Sequence, residues 1–140
     1  MAFSGNFTCN VFKTGLMNGD FDFSADTFYL ALYTNAATLD ANTTAYTATG
    51  EVVADGYTAG GQVLTVSTTP TVGPSGTVAY ISFDNVTWNA ALTVRGVLIY
   101  KAGDNSAVCV LDFGSDKTSN STFTVQFPSA TNTSAIIRIA

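Results

Sequence analysis

Asp26-Thr-Phe-Tyr-Leu-Ala-Leu-Tyr33 carries the clearest sign of fold class in the chain. Read with the period of two that a strand imposes, Phe28, Leu30 and Leu32 fall on one face and Tyr29, Ala31 and Tyr33 on the other. A strand that is apolar on both faces is covered on both, so this segment belongs in the middle of a β-structure.

The same period recurs along the rest of the chain. Gln62–Val66 reads as a short strand, followed by a Thr/Pro/Gly turn region from Ser67 to Gly76. Thr77–Phe83 alternates Val78, Tyr80 and Ser82 against Ala79, Ile81 and Phe83, and Asp84-Asn85 is a turn signal after which Val86 and Trp88 resume the pattern. Leu92–Tyr100 places Leu92, Val94, Gly96, Leu98 and Tyr100 on one face and Arg95, Val97 and Ile99 on the other. Gly103-Asp104-Asn105 turns the chain into Ala107–Phe113, Gly114–Asn120 reads as a polar loop, and Thr122–Phe127 and Ala135–Ile139 finish it. The expected fold is all-β: a single antiparallel β-sandwich of about seven or eight strands spanning residues 1–140. Phe28, Leu30, Leu32, Ile81, Phe83, Trp88, Leu98, Leu111 and Phe127 are its predicted core.

Two regions break the period. In Thr8–Met17, Cys9, Phe12 and Leu16 are spaced by three and four, which predicts a short N-terminal helix capped by Thr8 and weakened or ended by Gly15 and Gly19, within a possible arm over 1–19. Asn35–Tyr46 is a long polar connection. Gly56, Gly60 and Gly61 bracket Tyr57, which predicts positive φ or a close backbone approach there.

The chain carries 11% charged residues, against about 25% in an ordinary soluble domain. It has no histidine, it is 46% hydrophobic, and threonine is its commonest residue. A surface so poor in charge resists self-association weakly, which suits a building block covered by its neighbours. The net charge of −5 and the singly scattered Lys13, Arg95, Lys101, Lys117 and Arg138 speak against nucleic acid as a partner, since a phosphate backbone calls for clustered cations. No apolar run approaches the roughly 20 residues of a membrane span, and Met1–Gly5 shows no signal-peptide pattern. Cys9 and Cys109 read as reduced, buried small hydrophobes.

Enzymatic chemistry finds little footing. Without histidine there is no Ser-His-Asp or Cys-His arrangement and no imidazole for zinc. Glu51 is the only glutamate and the aspartates sit mostly in turns, so a carboxylate pair flanking a cleft is not expected. Asp20-Phe-Asp-Phe-Ser-Ala-Asp26 resembles a calcium loop, but Ala25 occupies the position that needs glycine and no glutamate closes it. Alternation explains it better, with Phe21 and Phe23 inward and Asp20 and Asp22 outward. No catalytic residue, cofactor or metal is expected. Three residues are candidate interface or ligand contacts. Tyr57 and Trp88 could form a glycan-stacking platform, with the core as the alternative for both rings. Arg95, on an apolar strand, needs a carboxylate partner, Asp112 or Asp84, or a covered interface.

Several segments together resemble small virion structural proteins of tailed bacteriophages. They are Asp26–Thr34, Thr44-Ala-Tyr46 leading to Glu51, Gly56-Tyr-Thr-Ala-Gly-Gly61, Phe83-Asp-Asn-Val-Thr-Trp88, Arg95-Gly-Val-Leu-Ile-Tyr100 and Val110-Leu-Asp-Phe-Gly114. The resemblance runs from about residue 20 to the end. It implies a non-enzymatic, multi-copy subunit located in the virion and assembled in the host cytoplasm. The partners it implies are copies of itself and other virion proteins. Those are the major capsid protein for a capsid decoration (cement) role, or tail, neck and baseplate proteins for a fibre-anchoring one. Host-glycan recognition is the remaining expectation.

Overall fold

The structure is a computed structural model that describes residues 3–73 and 76–140. Ten strands and one helix lie among the described residues: β1 (Phe7–Thr8), α1 (Asn10–Asn18), β2 (Phe28–Tyr33), β3 (Gln62–Leu64), β4 (Val66–Val72), β5 (Ala79–Phe83), β6 (Val86–Trp88), β7 (Thr93–Lys101), β8 (Ala107–Thr118), β9 (Phe123–Val125) and β10 (Ile137–Ile139). They build a five-stranded sheet in the order β1-β8-β7-β2-β3, a three-stranded sheet β10-β5-β4 and a two-stranded ribbon β6-β9, with every pairing antiparallel.

The all-β expectation holds, and the doubly apolar Phe28–Tyr33 is a central strand, paired on one side with β7 from Phe28↔Lys101 to Tyr33↔Gly96 and on the other with β3. The large sheet and the small sheet meet through aromatic rings: Phe28 stacks on Phe23 at 4.6 Å, and Phe83 of β5 approaches both (6.4 and 6.3 Å). The buried residues form one cluster that includes seven of the nine predicted core positions; Leu111 and Phe127 are half-buried at its margin.

The strand count exceeds the expected seven or eight, and three differences have clear physical causes. β1 is two residues long, too short for any period to show. β4 runs through Ser67–Val72, which reads as turn because of its hydroxyls and Pro70; it is an edge strand with register shifts at Val66/Thr68 and Thr68/Thr71, a position that tolerates proline and bulges. Of the turn region expected from Ser67 to Gly76, residues 74–75 lie outside the described residues. β8 continues to Thr118 through residues read as a polar loop. Val94 pairs with Lys117 and Gly96 with Asp112, so residues 113–116 form a wide bulge that carries the strand past its interruption.

The N-terminal segment packs onto the body. Cys9, not Thr8, is the N-cap of α1, and its side chain makes no cap hydrogen bond; its N–H donates to Val108 O (3.0 Å). Phe12 sits edge-on to Phe21 and Phe23 at 4.9 and 5.8 Å, and Gly15 lies directly under the Phe21 ring, where a Cβ would collide. Phe21 and Phe23 are buried and Asp20 and Asp22 exposed, as the alternation predicts. Asp22 Oδ1 accepts the Ser24 N–H and Asp26 Oδ2 the Asp22 N–H, both at 2.8 Å, so these carboxylates close the turn themselves. Both cysteines are free and buried, and burial pushes their thiols up to about 11 (Cys9) and about 12 (Cys109).

Candidate functional site

Tyr57 leads to the most organised polar site in the molecule. The edge of β2 is covered first by Glu51 and Val52, through the Tyr33↔Glu51 bridge and the Val52 N–H donating to Leu32 O (3.0 Å), and then by β3, where Gln62 pairs with Leu30. Between these two pairings residues 53–61 leave the sheet as a compact loop. Gly61 must return the chain tightly: its φ is +80° and any Cβ would land on the Leu30 carbonyl. Gly56 and Gly60 also have positive φ, as expected.

Glu51 sits at the throat of this loop, 7% exposed. Its Oε1 accepts the Tyr46 O–H at 2.6 Å, and its Oε2 accepts the Tyr57 O–H at 2.5 Å and the Gly60 N–H at 2.8 Å. The Tyr57 oxygen in turn accepts the Leu32 N–H (2.9 Å), and Tyr100 donates to Gly60 O (2.6 Å). Tyr33 donates to Thr47 O (2.7 Å), and the rings of Tyr46 and Tyr100 stack at 4.9 Å. No lysine or arginine donates to the carboxylate among the described residues; neutral donors satisfy it instead. Burial first, and then the nearby carboxylate, push the phenols of Tyr33, Tyr46 and Tyr57 far above their ordinary value and Tyr100 up to about 12, so all four remain protonated donors at neutral pH. What this arrangement does chemically is hold a loop: one carboxylate ties the middle of 53–61, through Tyr57, and its far foot, through Gly60, to the sheet.

Trp88 holds the same loop from the other side. Its ring lies 6.1 Å from that of Tyr57, and Gly56 packs against Ala90 and the Asn89 carbonyl. At 3% and 9% exposure, Trp88 and Tyr57 belong to the core, the alternative reading of both, and neither offers a ring face to solvent.

Arg95 is elsewhere. Its Nε donates to Asp112 Oδ1 at 2.8 Å, which selects Asp112 over Asp84 as its partner, and its Nη1 reaches Asn35 Oδ1 at 3.5 Å. The same Asp112 oxygen accepts the Gly114 N–H (2.8 Å), so the ion pair also pins the β8 bulge. The hydrogen bond from Arg95 is the main cause holding the Asp112 carboxyl below its usual range. The structure therefore brings Tyr57 and Trp88 together and leaves Arg95 apart. Sequence reasoning missed Glu51, although one signal was available: the chain's only glutamate lies between two tyrosines, Tyr46 and Tyr57.

Among the described residues no group of three or more His, Cys, Asp or Glu side chains could hold a metal ion. No described helix is long and apolar enough to cross a membrane. The outer surface is apolar at specific points: Val53 is 97% exposed, Met17 82%, and Val63, Val72 and Ile139 each more than half. Two adjoining clefts, of about 410 and 780 Å³, flank β10 where it faces α1, and Phe12, Leu16, Ile137 and Ile139 line both. No protein-family model, curated protein or solved structure matches this chain.

Proposed function

We propose that this chain is a non-enzymatic structural subunit of a tailed-bacteriophage virion, and within that class a capsid decoration protein that bridges major capsid subunits. The observation that carries the reading is the surface. Large apolar side chains stand exposed where a pinned loop leaves the sheet (Val53), on α1 and on edge strands, in a chain with 11% charged residues. Depletion of charge is the compositional mark of the cores of protein–protein interfaces. The segments resembling virion proteins, such as Asp26–Thr34 and Gly56–Gly61, include the central strand and the end of that loop. The polar organisation of the fold serves rigidity: the Glu51 carboxylate and the Arg95–Asp112 pair hold loop and bulge to the sheet. A cementing subunit acts mechanically, adding contact energy between neighbours that resists internal pressure.

The test is particle stability. Virions lacking the protein are expected to lose packaged DNA on heating or chelation at lower stress than complete ones, and added protein is expected to restore them. Particles that withstand both treatments equally well without it would show the cement role to be wrong.

A further inference from the structure

The 53–61 loop and the cleft beside α1 fit as two halves of one contact, and we infer that Val53 of one copy seats in the α1–β10 cleft of a second copy, head to tail. Val53 is an apolar knob. It is almost completely exposed, while Val52 before it is buried and Ala54 after it half-buried. Its stem is rigid, because the Tyr57 N–H closes the turn onto Ala54 O (3.1 Å) and Glu51 clamps Tyr57 and Gly60. A side chain already held in its docking position loses little conformational freedom on binding.

The cleft supplies the complement. Its smaller part, about 410 Å³, is walled by aliphatic groups including Leu16, Pro70, Ile81 and Ile137, with room for a branched side chain and its flanking backbone. The larger part carries Met17, Lys13 and Arg138. Charge selects the occupant. Lys13 and Arg138 are exposed and form no ion pair among the described residues, and Arg138 donates only to the Thr133 carbonyl. The knob carries an exposed carboxylate, Asp55, two residues from Val53. Asp22, the one acidic side chain lining the smaller cleft, accepts the Ser24 N–H through Oδ1.

Knob and cleft cannot meet within one chain. The knob springs from the Leu32–Tyr33 end of β2, whereas Phe23, part of the cleft, stacks on Phe28 at the other end. A contact between two different patches of identical chains is heterologous, and its repetition closes into a ring or runs on.

Sedimentation velocity over a concentration series tests this with Val53→Asp and Ile139→Asp. Wild type is expected to associate, and each variant alone to sediment as a single 14.6 kDa chain. The two variants mixed in equal amounts are expected to give a species of twice that mass and nothing larger, because one retains the cleft and the other the knob. Circular dichroism melting checks that both fold; if Ile139→Asp does not, Met17→Asp on the exposed face of α1 takes its place. Asp55→Lys is expected to weaken association at least tenfold and Lys13→Asp in the same chain to restore it in part. Wild type that stays monomeric, a Val53→Asp protein that associates unchanged, or a mixture that yields no dimer overturns the inference. The contact rests on the reading of the chain as an assembly subunit, yet the two fail separately. Protein found in purified particles but monomeric in solution removes the contact alone; protein that associates as described but is missing from particles removes the virion role alone.

Discussion

Glu51 shows how one residue can set the behaviour of a whole loop. Replacing it with glutamine keeps the shape but removes the charge, and one amide hydrogen then faces a phenol or peptide donor. Glu51→Gln is expected to cost about 1–3 kcal/mol in urea unfolding. Tyr57→Phe is expected to cost a similar amount, about 1–3 kcal/mol, since it strips one donor from the carboxylate and the acceptor from the Leu32 N–H. The same cluster fixes an alkaline limit. Its phenols titrate higher in the folded chain than in the unfolded one, whose tyrosines ionise at about 10. Above that pH the unfolded state releases protons that the folded state keeps, so stability is intact below about pH 10 and falls as pH rises further. Chemical denaturation between pH 8 and 12 is expected to show this fall, with a shallower slope in Tyr57→Phe. The two thiols follow the same logic: with raised values and burial, Cys9 and Cys109 are expected to resist alkylation at pH 8 until the chain unfolds.

At the scale of elements, local preference and packing sometimes oppose each other, and magnitudes decide. Alanine is a better helix former than glycine by about 1 kcal/mol, so Gly15→Ala would favour α1 in isolation. Its Cβ would instead strike the buried Phe21 ring, which is itself packed edge-on against Phe12. The substitution is therefore expected to lower the melting temperature, because overpacking costs about 1–3 kcal/mol. Trp88→Ala is expected to cost about 3–5 kcal/mol and to loosen the 53–61 loop together with β6, read as faster amide exchange at residues 53–61. Strands with a long apolar alternation, β2, β5 and β7, were legible in the residues. β4 and the far half of β8 were not, because an exposed edge or a bulged ladder is stabilised by backbone pairing and places few demands on side-chain type.

For the molecule as a whole, sparse charge governs solution behaviour. With a sequence pI near 4.1 and only fifteen ionisable Asp, Glu, Lys and Arg side chains, repulsion between copies is weak and vanishes as pH falls towards that value. Light scattering is expected to show association growing from pH 7 to about pH 4. The candidate site was partly legible at this scale. The glycine bracket around Tyr57 marked the loop, and an apolar strand carrying Arg95 implied an acidic partner, which the register of β7 and β8 identifies as Asp112. Trp88 and Tyr57 were open to two readings, and their burial against each other decides for the core.

The all-β class, most of the core, the positive-φ glycines and the scarcity of charge could all be read from the residues in order. Each of these follows from residue type and short-range period, which act along the chain. The tertiary structure alone decided that Glu51 lies beneath the loop it anchors, that Arg95 pairs with Asp112, and that an apolar knob and an apolar cleft stand at opposite ends of β2. Those features depend on which distant strands lie side by side, and antiparallel pairing sets that through contacts many residues apart, where no local pattern reaches.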